Sequence, residues 1–502
     1  MLGIFRAMPS AVGVFLLLVV VCASQALGAP RLTAYYRPTA SPSALGELSE
    51  YDGSYLSTLI YGYAATDEKG FVYWGNKTIA TELLHGNDEP ACECCVFGGV
   101  GEVIKFKLKY PDVITELGFG GPKESWALST LAASNASRIA FARNATNFMR
   151  MHGFEGIHIS WEYPKSSGDW DNYLLLLQEL RSYWTQLNSP MGYALSISLP
   201  AVSPGLINAT VAQIQGLANL AQQINIMPYR EAPTAWTQYE GNLFNLPTDP
   251  IKDGMDAALA GYGQALPIDR TFLGINTMAD MFEDVAPTIS NVTNSTGVYS
   301  AFKVRNKESV SYRDIINTGK SSGYQEAFDS QRVGGSLYNP QTNTLIVTEI
   351  PDTVRAKSTY IQQRTLAGFA LSSLGADLPS TNPLALHQIA QQTLGVAKPA
   401  QAKHALCTEE SNFCNLKSCP WVKSDKLIAK PWFMWVGLAA VIVWLVVYYV
   451  IGRVFFRCYN VRKVATWMDA EKRPFKRKNK RNEKPDSTTI LVDQNVRNEK
   501  PK

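Results

Sequence analysis

Between about residues 30 and 398 the chain alternates short apolar runs with longer amphipathic stretches. LTAYY (32–36), STLIYGYA (57–64), VITELGFGG (113–121) and FEGIHIS (154–160) open the series. YALSISLPA (193–201), INIMPY (224–229), FLGIN (272–276) and LAGFALSSL (366–374) continue it. Their length and β-branched or aromatic content predict buried parallel strands. SRIAFARNATNFMRMH (137–152) and NYLLLLQELRSYWTQL (172–187) carry apolar residues at helical spacing. Strands alternating with helices predict an α/β fold, and eight such units close into a TIM (β/α)8 barrel over residues 29–398. Residues from about 278 to 349 break the rhythm. They are polar and rich in Gly and Ser, then read as a hairpin at SLYNPQTNTLIV (336–347). A small inserted α+β domain fits better than a loop of that length. No short-period repeat is present, which excludes a solenoid or propeller.

The ends differ in character. Residues 1–28 hold Arg6, an apolar run and a small-residue site at Ala26-Leu27-Gly28, the pattern of a cleaved signal peptide. Residues 432–452 are 21 positions without a formal charge, enough to cross about 30 Å of hydrocarbon as a single C-terminal transmembrane helix. Trp432, Trp435, Tyr448 and Tyr449 lie near its ends, where aromatic rings favour the interface. Residues 453–502 then carry 15 Lys+Arg against 6 Asp+Glu. The whole chain has 47 against 43, so the part before residue 453 is net acidic. A basic run directly after an apolar span reads as a cytoplasmic topology signal beside anionic lipid, not as a nucleic-acid site. The expectation is a single-pass type I protein of the cell surface or a secretory-pathway membrane.

Six N-x-S/T sequons (Asn76, Asn135, Asn144, Asn208, Asn291, Asn294) precede the span, as lumenal glycosylation requires. Apart from Cys22 and Cys458, the cysteines form two groups, Cys92, Cys94, Cys95 and Cys407, Cys414, Cys419. An even count in an oxidising compartment predicts disulfides, with bonds between the groups tying an early loop to a stalk at 399–431. Adjacent Cys94 and Cys95 are poorly placed to bridge each other. His spacing does not support zinc; no metal and no cofactor is expected.

The richest chemistry sits in GFEGIHISWEYP (153–164). Side chains alternate along a strand, so His158, Ser160 and Glu162 share the barrel-facing side, while Ile157, Ile159 and Trp161 face the helices. Glu162 falls at the strand's C-terminal end, where such barrels open to substrate and where a general acid belongs.

At this point the chain resembles the family 18 glycoside hydrolases, the chitinase and chitinase-like group. ALSTLAASNASRIAFARNATNFMRMHGFEGIHISWEYP is similar to that family's helix and catalytic strand. KYPDVITELGFGG resembles its third strand, and TFLGINTMADMF its seventh strand leading into the α+β insertion. The resemblance implies that Glu162 protonates the glycosidic oxygen while the substrate's own N-acetyl oxygen attacks the anomeric carbon. It also exposes departures. The family pattern DxxDxDxE reads here Glu155, His158, Ser160, Glu162. Ser160 therefore replaces the acid that orients the acetamido group and offsets the cationic intermediate. If protonated, His158 would favour ionised Glu162 and deplete the proton donor. INIMPYRE resembles the family's Met-x-Tyr-Asp run: Met227 and Tyr229 match, and Arg230 stands where an acid is expected. Ser372 occupies the place of the Trp that floors the central sugar subsite.

The candidate substrate-binding set is Tyr36, Trp161, Met227, Tyr229, Arg230 and Ser372. Tyr35, Tyr61, Tyr163 and Trp236 are further cleft candidates, although most such aromatics serve as core. Three functions follow in order of preference: a membrane-anchored chitinase-like pseudoenzyme binding chitin-type or N-acetylglucosamine glycans or a protein partner; an adhesion glycoprotein without glycan binding; and a weak hydrolase using Glu162.

Overall fold

The computed structural model describes residues 29–39, 45–85, 96–187, 192–202, 204–228, 236–249, 254–287, 295–306, 310–319 and 323–399. The expected signal peptide, stalk, transmembrane segment and basic tail lie outside the described residues. So do Cys92, Cys94, Cys95, Cys407, Cys414, Cys419, Asn291, Asn294, Tyr229 and Arg230. No helix among the described residues is long and apolar enough to cross a membrane.

Eight parallel strands form the expected barrel: Arg31–Tyr36, Leu56–Thr66, Ile114–Gly120, Gly156–Ser160, Ala194–Pro200, Gln223–Met227, Thr271–Asn276 and Gly368–Ser372. They are called the first to eighth strands below. The first closes the ring by pairing with both the second and the eighth, in a register that sets Tyr35 beside Ser372. Helices cover the outside. Asn135–Met151 leads into the fourth strand and is capped by Ser134. Ser167–Gln186 leaves it and begins five residues earlier than its apolar period implies. The reason is a capping box: Ser166 and Asp169 satisfy the helix's first free N–H groups.

Strand alternation assigns two different layers. Ile157, Ile159, Leu195, Ile197, Ile224 and Ile226 point outward into one continuous apolar core shared with the helices. The inward positions are unusually polar and include Thr33, Tyr35, Glu116, His158, Ser196, Ser198, Gln223 and Asn225, all buried. Tyr35, Ile60, Met227, Phe272 and Ala370 form the apolar part of the interior. Fully burying one large aliphatic side chain contributes about 1.5–3 kcal/mol, so the outer layer is where the fold draws its stability.

The segment after the seventh strand is the expected α+β insertion. Met278–Glu283 is central in a mixed-length antiparallel sheet with Val304–Arg305, Gln325–Asp329, Gly334–Asn339 and Thr344–Val347, and Val310–Ser311 pairs with it as well. The helix Tyr312–Gly319 supplies the α part. Arg332 ties this module to the loop after the sixth strand through a buried ion pair with Asp249, and pairs within the module with Asp329.

Candidate functional site

Glu162 stands half-buried just past the fourth strand, at the barrel mouth. Two serines position it. Ser160 Oγ donates to Glu162 Oε1 at 3.1 Å. The Glu162 backbone N–H donates to Ser125 Oγ at 2.9 Å, and Ser125 in turn donates to the Ser160 carbonyl. The third strand can lie this close only because it ends in glycine. Gly120 has φ +96°, and a Cβ there would stand 2.1 Å from the Ser160 carbonyl oxygen.

Burial raises the pKa of Glu162, whereas the Arg37 cation and the Ser160 hydrogen bond pull it down. The net rise favours retention of a proton. Ser160 has no charge, and the charged group that acts on Glu162 among the described residues is Arg37.

Below this mouth the interior is one hydrogen-bonded network. His158 Nδ1 lies 2.6 Å from Ser196 Oγ, and its Nε2 lies 3.1 Å from Tyr35 Oη and 3.0 Å from Ser198 Oγ. Asn225 donates to Tyr35 Oη at 2.7 Å and accepts from Gln223. Ser196 Oγ donates to the Glu116 carboxyl. Burial lowers the His158 pKa to about 3, with Arg37 acting in the same sense, and pushes Glu116 up to about 8. Both shifts favour the neutral form near pH 7. The condition under which His158 would act on Glu162, protonation, is thus disfavoured: a completely enclosed imidazole has no water to solvate its cation.

Other expected site residues separate into different places. Glu155 is not in the mouth. Its carboxylate forms a buried pair with Lys107 at 2.8 Å and accepts from the Thr115 backbone, fastening the bases of the third and fourth strands. Tyr36 and Trp161, expected to line the cleft, face the helices instead. Tyr36 packs edge-on against Tyr61, and Trp161 packs against Tyr173. Their odd step from the inward residues decides this. Tyr61 likewise packs on Trp74 and Phe154, outside the barrel. Met227 points inward but is buried among Tyr35, Phe272 and Ala370. Ser372 ends the eighth strand in register with Tyr35 and Asn276, so a small hydroxyl stands at the barrel mouth there.

Trp236 is exposed, as is Trp126, which directly follows the Glu162-binding Ser125. Among the sequons, Asn76, Asn135 and Asn208 are exposed. Asn144 is half-buried, and its amide donates to the Gly70 carbonyl.

Sequence reasoning did not single out Arg37, Tyr63, Glu116, Ser125 or Trp126. Arg37 had a usable signal, since it lies two residues past inward-facing Tyr35. Tyr63 had none, because a register shift between Tyr61 and Ala64 turns it inward.

Residues 31–377 match the family model described as glycosyl hydrolases family 18. Endochitinase 1 of Metarhizium robertsii is 24% identical over 386 residues, covering 74% of this chain and 86% of that protein. A class V chitinase from Nicotiana tobaccum, solved as a Glu-to-Gln mutant in complex with NAG4, superimposes with a TM-score of 0.60 at 21% identity, over 74% of this chain and 99% of its own. The chitinase-like agglutinin RobpsCRA from Robinia pseudoacacia gives a TM-score of 0.58 at 21% identity, over 72% and 99% respectively.

Proposed function

The chain belongs to glycosyl hydrolases family 18, and from that premise we propose that its barrel is a chitinase-like binding site for N-acetylglucosamine oligosaccharides in which hydrolysis is strongly impaired. One observation carries the reading: the hydroxyl of Ser160 rather than a carboxylate lies next to Glu162, and the charge felt there is that of Arg37. Substrate-assisted hydrolysis builds positive charge on the sugar. A neighbouring anion would stabilise that charge, and a neighbouring cation opposes it. Loss of one preorganised electrostatic partner lowers rates by about 10²–10³. Likeness to a chitinase solved with NAG4, and to a chitinase-like agglutinin, supports a cleft that holds sugar with or without cleaving it. The runs at 432–452 and 453–502 support anchorage of this module at a surface or secretory-pathway membrane, where a protein partner is a further class of ligand.

A second reading, a weak hydrolase, is favoured by the raised pKa of Glu162, which keeps a proton available for the leaving oxygen. One experiment separates the readings. Chitotriose binding is measured by calorimetry beside its hydrolysis, on the native chain, Glu162→Gln and Ser160→Asp. The binding reading expects affinity with little turnover in the native chain and a gain of turnover in Ser160→Asp. Native turnover that vanishes in Glu162→Gln would establish the hydrolase instead. Absence of binding in all three would leave an adhesion glycoprotein.

A further inference from the structure

The chain after the eighth strand holds a second cluster of reactive side chains, across the ring from the fourth strand and Glu162. Past the short turn Leu374–Ala376 comes Asp377. Ser380 follows it, and then His387 on the opening turn of the helix Leu386–Leu394. Ser380 Oγ lies 2.8 Å from His387 Nε2, and His387 Nδ1 lies 2.7 Å from Asp377 Oδ2. Asp377 is completely enclosed and His387 nearly so, whereas Ser380 is half-buried and open to solvent.

Each member is held in place. The Asp377 carboxylate accepts from the backbone N–H groups of Leu378, Leu386 and His387. Tyr51 packs edge-on against the imidazole, 5.5 Å between centroids, and donates to the Asp377 carbonyl. Gln388 Nε2 donates to the Ser380 carbonyl, and the Asp52 N–H donates to Ser380 Oγ at 2.8 Å. A carboxylate only accepts, so its bond to the imidazole puts the ring proton on Nδ1 and leaves the Nε2 lone pair for the Ser380 O–H. Capping the helix accounts for the backbone contacts of Asp377, but not for a histidine set between that acid and a serine hydroxyl. The N–H of exposed Thr381 donates to no group among the described residues, which leaves it for an oxyanion formed at Ser380.

We propose that Ser380 is the nucleophile of an activity separate from the sugar cleft, the cleavage of small carboxylic esters by acyl transfer. As Oγ bonds to the ester carbonyl carbon, His387 Nε2 takes the hydroxyl proton and Asp377 keeps the imidazole oriented. The carbon–oxygen bond to the alcohol then breaks, and the alcohol leaves with the proton from Nε2. Water next attacks the acyl carbon and gives its proton to Nε2. The bond to Oγ breaks, Oγ recovers that proton, and the carboxylic acid departs. Ester and water become acid and alcohol, with no change of oxidation state. Ser380 is flanked by exposed Asp52 and Thr381, a surface setting that suits a short acyl group rather than a long apolar one.

The test uses the full chain, p-nitrophenyl acetate as substrate and a fluorophosphonate that traps activated serines. The native chain should release p-nitrophenol faster than the heat-unfolded chain does. The phosphonate should stop that release and leave its adduct, located by peptide mass spectrometry, on Ser380. Ser380→Ala should abolish the turnover. His387→Gln should slow both turnover and labelling by about 10²–10⁴, the usual contribution of a positioned base. No turnover by the native chain, an adduct elsewhere, turnover that survives in Ser380→Ala, or an unchanged rate in folded His387→Gln overturns the inference. Should a variant fail to fold, the native rate and the position of the adduct decide. Failure of chitotriose to bind would remove the proposed function and leave this activity untouched.

Discussion

Glu116 is the group whose neutralisation by burial can be tested most sharply. It sits on the third strand inside the barrel, takes a hydrogen bond from Ser196, and has its pKa pushed from the ordinary 4.5 to about 8. In the unfolded chain it ionises at its ordinary value. A folded pKa raised above the unfolded one means that the native state binds the extra proton. Its stabilising contribution is therefore complete below about pH 4.5 and is lost as pH rises through about 8. Across that interval of about 3.5 pH units, at about 1.4 kcal/mol for each, the loss approaches about 5 kcal/mol. Glu116→Gln keeps the shape and an acceptor for Ser196 while removing the titration. Urea midpoints would be measured for both proteins at half-unit steps from pH 5 to pH 8.5. All other titrating groups contribute equally to the two curves, so their difference isolates this side chain. The native chain should lose on the order of 1 kcal/mol per pH unit relative to Glu116→Gln, with the variant overtaking it towards high pH. Parallel curves would show that Glu116 is ionised in the folded barrel and that the neutral network around His158 has been misassigned.

Lys107→Met leaves the Glu155 carboxylate buried without its cation and should destabilise the fold by about 3–5 kcal/mol, read as a lower urea midpoint. Lys107→Met combined with Glu155→Gln should recover much of that loss, because the penalty lies in the unpaired charge. Gly120→Ala forces a Cβ against the Ser160 carbonyl at positive φ. It should lower thermal stability and weaken chitotriose binding together, whereas an unchanged affinity would mean that the third strand's end does not place Glu162.

Much of this was legible before any coordinates. The eight strands announced themselves because barrel strands buried on both faces must be short and apolar, and the inserted module because its hairpin broke the rhythm. The inward set of His158, Ser160 and Glu162 followed from period-two alternation. The same counting rule already turned Trp161 towards the helices, against its place in the cleft set, and applied to Tyr36 it would have turned that ring away as well. The inner face contributed what the pattern could not disclose. Glu116 reads as one acid in an apolar strand, and nothing near it in the chain indicates that Ser196, some 80 residues later, will be its partner. Tyr63 is invisible to alternation, since a local irregularity in pairing reverses its side.

The sequence by itself determined the barrel, its insertion, the position of Glu162 and the absence of an acid at residue 160, because each depends on residue type and on spacing along one strand or helix. Only the tertiary structure decided that burial favours neutral His158, that Glu155 is tied to Lys107 away from the mouth, and that Arg37 lies over the Tyr63 ring. Charge state and pairing depend on desolvation and distance summed over groups from several strands, and those distances come into existence only when the ring of strands closes.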